Sequence, residues 1–359
     1  LTHIKEEDML IFTNREVDDS KRDEAAFGRA FKPFDTRLGL ATVEKKGGSK
    51  WQLTNIDADV SDQDARDALG PLFNGRKPVL VYIHGNNNSP AKCFERCDRL
   101  RALYGVEVVG FSWASEGFTP EGPSLPGVPA PDTDDEDDLK GIKGGNGGNT
   151  EKAGIQGKMR RYHQAKTNAQ HSAQALARFL RMTAAARLIA NQPFTLAAHS
   201  LGVHFLQNSL DVSGASESLA TAHNVALLAA CARAAGHADW LARIRPKGQV
   251  FVAYNKGDTV LFAANVADGG QIKLGGDLTE FSQIPGVRYI SFTGGQVGAW
   301  GHRYFLRDNM PDKALKIFTR MFSSERDIQD GEIPRKIYPV GCDADGRICY
   351  MAGPAVEDR

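Results

Sequence analysis

No run of about eighteen apolar residues occurs in this sequence, so hydropathy predicts no membrane-crossing helix. Charge of one sign is also missing. Lysine plus arginine and aspartate plus glutamate each total 44, which leaves no global basic field, and nucleic-acid binding is not expected. Cysteine is scarce and odd in number. Five in 359 residues do not make the framework of a disulfide-stapled domain, so reduced thiols are the default and a cytoplasmic location is favoured. Cys93 and Cys97 lie four apart on a predicted helix with no second ligand pair nearby, which predicts packed thiols, not zinc. Cys342 and Cys349 flank the turn-rich segment 343–347. A hairpin would bring them together, and only an oxidising compartment would bridge them. The opening residues 1–8 contain neither an initiator methionine nor a charged-then-apolar leader, so a targeting segment upstream stays open.

What remains is an ordinary globular composition, 41% hydrophobic and 25% charged, with strand and helix patterns in alternation. A first strand is predicted at 9–13 and a hairpin at 38–43 and 51–54. The short apolar runs 79–83 and 106–111 enclose a helical stretch at 91–104, which is a βαβ unit. A long helical pattern over 165–189 is followed by strands at 194–198, 225–230, 250–254 and 287–292, and by a last helix at 311–322. The fold class is therefore α/β, with a mostly parallel central sheet flanked by helices. The expected organisation is a single domain over 1–322 and an extension of unassigned role over 323–359.

One segment interrupts the alternation. Residues 116–156 contain Pro120, Pro123, Pro126, Pro129 and Pro131, then the acidic run 134–138 and a glycine cluster at 144–148. Such a composition buries little apolar area, so a long surface insertion after a central strand is expected. Its consecutive carboxylates lack preorganised ligand geometry and read as solvated charge, with no metal site implied. By leaving the C-terminal edge of a parallel strand, the insertion is expected to border the ligand crevice.

The chemistry is carried by residues 194–202, an apolar run ending in Ala198-His199-Ser200-Leu201-Gly202 and followed by a helical pattern at 203–210. This is a G-x-S-x-G elbow with alanine in place of the first glycine. Small neighbours let a serine sit on a tight strand-to-helix turn with Oγ lifted above the sheet edge. The pattern alone arises by chance in unrelated chains; the strand before it and the helix after it give it meaning. Gly110-Phe111-Ser112-Trp113-Ala114 matches in part, but no helix follows, so Ser112 and Trp113 are expected to line the pocket.

A serine nucleophile on such a turn needs an acid and then a histidine further along the chain. Asp258 ends the predicted strand 250–254 in a Gly-Asp turn, with Asp268 and Asp277 as weaker alternatives in a glycine-rich loop. His302 is the only histidine after Asp258. The predicted triad is Ser200, Asp258 and His302. The oxyanion donors are expected to be the N–H groups of Leu201 and Asn86, the latter in the loop His84-Gly85-Asn86-Asn87-Asn88-Ser89 after an early strand. His84, Gly85 and Asn87 then support the pocket, and His199 orders the elbow by hydrogen bonding.

In their order, these elements resemble the bacterial alpha/beta-hydrolases grouped as esterase/lipase-superfamily enzymes. The likeness runs over 9–322 and includes Thr13-Asn14-Arg15, the His84–Ser89 loop, Phe111-Ser112-Trp113, the Ser200 elbow, Gly257-Asp258 and His302-Arg303-Tyr304-Phe305. The resemblance implies an eight-stranded alpha/beta-hydrolase sheet and the same triad. Val203-His204 after the elbow and the enlarged insertion depart from it and leave the substrate open. The expected function is cofactor-free hydrolysis of a carboxylic ester, small or amphiphilic, through an acyl-enzyme. Lipase, phospholipase or amidase activity would use the same triad, and a noncatalytic binding module on this fold is the alternative from another class.

Overall fold

The computed structural model describes residues 8–48, 50–125, 149–190, 192–278, 284, 286–293, 301–308, 310–323, 340–342 and 348–351. Most of the insertion, 126–148, and the turn 343–347 lie outside the described residues, as do His3, 324–339 and 352–359.

The strands are β1 (Met9–Thr13), β2 (Arg15–Val17), β3 (Phe27–Phe31), β4 (Gly39–Lys45), β5 (Trp51–Asp57), β6 (Val79–Ile83), β7 (Glu107–Ser112), β8 (Phe194–His199), β9 (Asn224–Leu228), β10 (Val250–Tyr254), β11 (Val287–Ser291), β12 (Val340–Cys342) and β13 (Ile348–Met351). The helices are α1 (Asp62–Phe73), α2 (Pro90–Tyr104), α3 (Asn149–His171), α4 (Ala173–Leu188), α5 (Leu201–Ser209), α6 (Ala215–Leu219), α7 (His237–Leu241), α8 (Thr259–Ala267) and α9 (Asp312–Ser323). Eleven strands form one sheet in the order β12-β13-β11-β10-β9-β8-β6-β7-β1-β4-β5. From β13 to β1 every neighbouring pair is parallel; β4, β5 and β12 add antiparallel edges. The sheet thus exceeds the eight strands the resemblance implies. β12 and β13, within the segment expected as an extension, join it beside β11, and their register sets Cys342 opposite Cys349.

Sequence explains the central strands directly. β6, β8, β9 and β10 are buried at every residue, as Val-, Leu- and Ala-rich strands covered on both faces must be. The register then fixes the site. From β6 the chain crosses through α2 to β7 on one side, then returns through α3 and α4 to β8 on the other side of β6. Because such crossovers are right-handed, reversing direction puts α2 on one face of the sheet and α3 and α4 on the opposite face. α9 packs with α2, whereas α5 packs with α3 and α4. The loops after β6 and β8 therefore diverge to opposite faces and open a crevice at the C-terminal edge between two adjacent strands. That is where open α/β sheets bind ligands.

Two expectations need correction here. The helical pattern predicted over 165–189 is two helices separated at Ser172, whose Oγ accepts from Asn14 Nδ2 at 2.7 Å. In addition, α3 begins at Asn149, inside the segment expected to be surface insertion up to 156. The glycine cluster immediately before it obscures the start signal in the sequence Asn149-Thr150-Glu151, which puts an acid in the first turn. The insertion's opening is also not a surface feature. Glu116 is buried and ion-paired, and Asn168 Nδ2 on α3 donates to the carbonyls of Ala114 and Phe118 at 3.0 and 2.8 Å.

Candidate active site

β8 ends at His199, and Ser200 turns the chain into α5 with φ 54° and ψ −120°, a conformation that costs a non-glycine residue of order 1–3 kcal/mol. The surroundings dictate it. A Cβ on Gly202 would lie 2.5 Å from the His84 carbonyl oxygen, and one on Gly85 would lie 2.8 Å from Ser200 Cβ. The end of β6 and the start of α5 thus touch through two glycines, and any side chain there would force the crevice apart.

The loop after β6 is shaped by its own side chains. Asn88 Nδ2 donates to the carbonyls of Gly85 and Asn86 at 3.0 and 2.6 Å, and the N–H groups of Asn87 and Asn88 go to the Ser115 carbonyl and hydroxyl. His84 and Trp113 clasp each other: Trp113 N–H donates to His84 Nε2 at 3.1 Å and the indole N–H to the His84 carbonyl at 2.9 Å. This bond leaves the imidazole proton on Nδ1, which faces the Gly85 carbonyl at 3.0 Å. Burial, and then the nearby charges of Arg15 and Arg96, push the His84 pKa well below its ordinary value of 6.5, against the bond to Gly85. His84 is therefore a neutral scaffold. Among the described residues, neither the Asn86 N–H nor the Leu201 N–H donates to a protein acceptor.

Arg15 fastens this loop from beneath. Its guanidinium pairs with both Glu116 oxygens at 3.0 and 2.6 Å and donates to the carbonyls of Asn88, Trp113 and Gly28. The pair is buried, at 0% and 6% side-chain exposure, so neither charge has water to fall back on. Ser112 ends β7 fully buried, its carbonyl accepting from Thr13 Oγ1 and its own hydroxyl without a partner.

Asp258 caps α8. One carboxylate oxygen accepts from the N–H groups of Val260 and Leu261, both at 3.0 Å, and the other is 2.8 Å from His302 Nδ1. Asp268 and Asp277 sit elsewhere, with Lys166 and Lys256 respectively. His302 is held through its backbone and its neighbours. The His302 carbonyl accepts from His199 Nε2 at 3.1 Å, and the two rings lie 4.7 Å apart. Asn255 Nδ2 donates to the Gly301 carbonyl, while its Oδ1 accepts from Gly257 N–H, so one amide ties the acid's turn to the histidine's loop. Tyr304 Oη accepts from Ala229 N–H at 3.1 Å and donates to the Ala253 carbonyl at 2.9 Å, pinning the loop to β9 and β10. His199, like His84, stays neutral: burial first, then the His302 and Arg96 charges, push its pKa well down.

The structure brings Asp258 and His302 together and sets His199, the elbow and the loop after β6 around them. Among the described residues, no hydrogen bond joins Ser200 Oγ to His302. Sequence reasoning missed the supporting roles of Arg15, Glu116, Asn88, Asn255 and Tyr304. Only the order Asn255-Lys256-Gly257-Asp258, an Asx-turn pattern, carried a local signal for any of them. Among the described residues, no group of three or more His, Cys, Asp or Glu side chains is placed to hold a metal ion, and no helix is long and apolar enough to cross a membrane. Searches of protein-family models, curated proteins and solved structures find no match.

Proposed function

We propose that this chain is a serine hydrolase of alpha/beta-hydrolase architecture that cleaves carboxylic esters through an acyl-enzyme, as the resemblance to esterase/lipase-superfamily enzymes implies. One observation carries the reading. Ser200 is held in a costly backbone conformation between two glycine contacts, next to His199, whose imidazole bonds the carbonyl of the Asp258-paired His302. With Nδ1–H donating to Asp258, His302 presents an unprotonated Nε2 as general base. Ser200 Oγ attacks the ester carbonyl as Nε2 takes its proton, and the Asn86 and Leu201 N–H groups receive the oxyanion. His302 returns the proton to the departing alcohol. Water then repeats the sequence on the acyl-serine and releases the acid.

The test is labelling with a fluorophosphonate, followed by turnover of a panel of p-nitrophenyl esters, lipids and amides. Wild-type protein is expected to label and to hydrolyse esters. Ser200→Ala should lose both, with kcat reduced on the order of 10⁶-fold, and His302→Ala should do comparable damage. A folded wild-type protein that neither labels nor turns over would point instead to a noncatalytic binding module.

A further inference from the structure

One hydrogen bond from the elbow lies a polar cluster that the triad does not use. Cys231, just beyond β9, donates its N–H to the Ser200 carbonyl at 3.0 Å, and its Sγ is 3.3 Å from Tyr162 Oη on α3. Tyr162 in turn donates to Asp268 Oδ2 at 3.0 Å. Two ammonium groups converge on this one carboxylate: Lys166 Nζ at 2.9 and 2.8 Å from its two oxygens, and Lys273 Nζ on Oδ2. Burial would raise the Asp268 pKa, but its hydrogen bonds and ion pairs with Lys166 and Lys273 outweigh that and hold it below the usual carboxylate value.

Two positive charges therefore share one negative charge where screening is poor, since the Lys273 and Asp268 side chains are only 2% and 4% exposed. Lys166, at 27%, gives the cluster its opening to solvent. An ammonium has three donors. Among the described residues, Lys273 Nζ finds a single acceptor, Asp268, leaving buried donors that call for another oxygen. The surplus charge is also felt on the nucleophile's helix. His204 on α5 has its pKa pushed down to about 4, by burial first and then by Lys166 and Lys273.

Building on the reading of Ser200 as nucleophile, we propose that Lys166 and Lys273 form an anion subsite, and that the ester cleaved at Ser200 carries an ionised carboxylate, as in half-esters of dicarboxylic acids. The surplus is one charge, which a monoanionic carboxylate neutralises and a dianionic phosphate overshoots.

Binding is measured by calorimetry on Ser200→Ala protein with monoethyl glutarate and diethyl glutarate, and hydrolysis of the same pair on wild-type protein by pH-stat. The half-ester should bind and turn over with a preference of about tenfold or more, the scale of a hydrogen bond to a charged group. Lys166→Met should collapse that preference towards parity in both measurements. Lys166→Met is the primary variant because its side chain is partly exposed; Lys273→Arg, which keeps the charge in the core, should retain the preference. Equal binding of the two esters, or an undiminished preference in Lys166→Met, overturns the proposal. Inorganic phosphate displacing the half-ester better than glutarate does would overturn the carboxylate assignment. If Ser200→Ala binds the half-ester selectively while wild-type protein hydrolyses neither ester, the subsite stands and the nucleophile reading falls.

Discussion

At the scale of single residues, the site rests on contacts too close for substitution. Gly202→Ala would place a methyl 2.5 Å from the His84 carbonyl oxygen and 2.8 Å from that of Ile83, both main-chain atoms at the end of a buried strand. Neither can retreat without moving β6. The expected result is a loss of about 1–3 kcal/mol of stability, the usual cost of overpacking, measured by urea denaturation, together with a large fall in kcat. Asp258 allows a cleaner separation of stability from chemistry. Asparagine caps helices as well as aspartate does, so Asp258→Asn should keep the bonds to Val260 and Leu261 and melt close to the parent temperature. It removes the charge that favours the imidazolium and upsets the tautomer at His302 Nδ1. Activity should fall about 10⁴-fold, as the equivalent change does in serine proteases. A parallel loss of melting temperature and activity in that variant would show the carboxylate to be only a cap.

At the scale of elements, the position of His302 depends on how a loop is attached to the sheet. Tyr304 sits in the short turn after His302 and serves β9 with a lone pair and β10 with a proton. Tyr304→Phe leaves the ring stack with Phe292 and Phe318 in place, so the packing survives while the hydroxyl is lost. The expected cost is about 0.5–1.5 kcal/mol, the net worth of a hydrogen bond, because the Ala229 N–H and the Ala253 carbonyl also bond each other at 3.2 Å and stay paired without the hydroxyl. kcat should drop more than KM rises, because the change moves His302 and not the substrate's binding groups. Steady-state kinetics beside thermal denaturation would test this. On the opposite side of the crevice, Arg15 and Glu116 play the matching part, joining the end of β1 to the loop after β6 and the segment after β7.

At the scale of the whole molecule, zero formal net charge conceals a pH sensitivity built from burial. His84, His199 and His204 all have folded-state pKa values below the ordinary 6.5, with His204 at about 4, and burial is the first cause for each. Above pH 6.5 these histidines are neutral in both states and impose no penalty. Below it the unfolded chain takes up protons that the fold refuses, so stability falls with pH until each folded pKa is reached. Three such groups give a slope of up to about 4 kcal/mol per pH unit. Urea denaturation at pH 7.5 and 5.5 should therefore show a marked loss at the lower value. His204→Gln should shallow the slope, and a stability independent of pH over that interval would contradict the burial argument.

Much of this organisation follows from local sequence. Buried parallel strands announce themselves as unbroken apolar runs, so β1, β6 and β10 fall where periodicity puts them, and chain order picks out Ser200 after β8 and Asp258 after β10. His302 is legible too, by elimination among the histidines after Asp258. The break at Ser172 and the helical start at Asn149 are not, because a helical pattern persists across Ser172 and a glycine cluster directly precedes Asn149. Strand order, the meeting of Gly85 with Ser200, and the attachment of Tyr304 to two strands were decided only by the tertiary structure. So was the cluster of Tyr162, Lys166, Asp268 and Lys273, whose members are up to 111 positions apart in the numbering. Periodicity records which face of an element is buried; it carries no record of which distant element buries it. Contacts between backbone atoms, and charges shared across helices, come into being only when the sheet has closed in its own order.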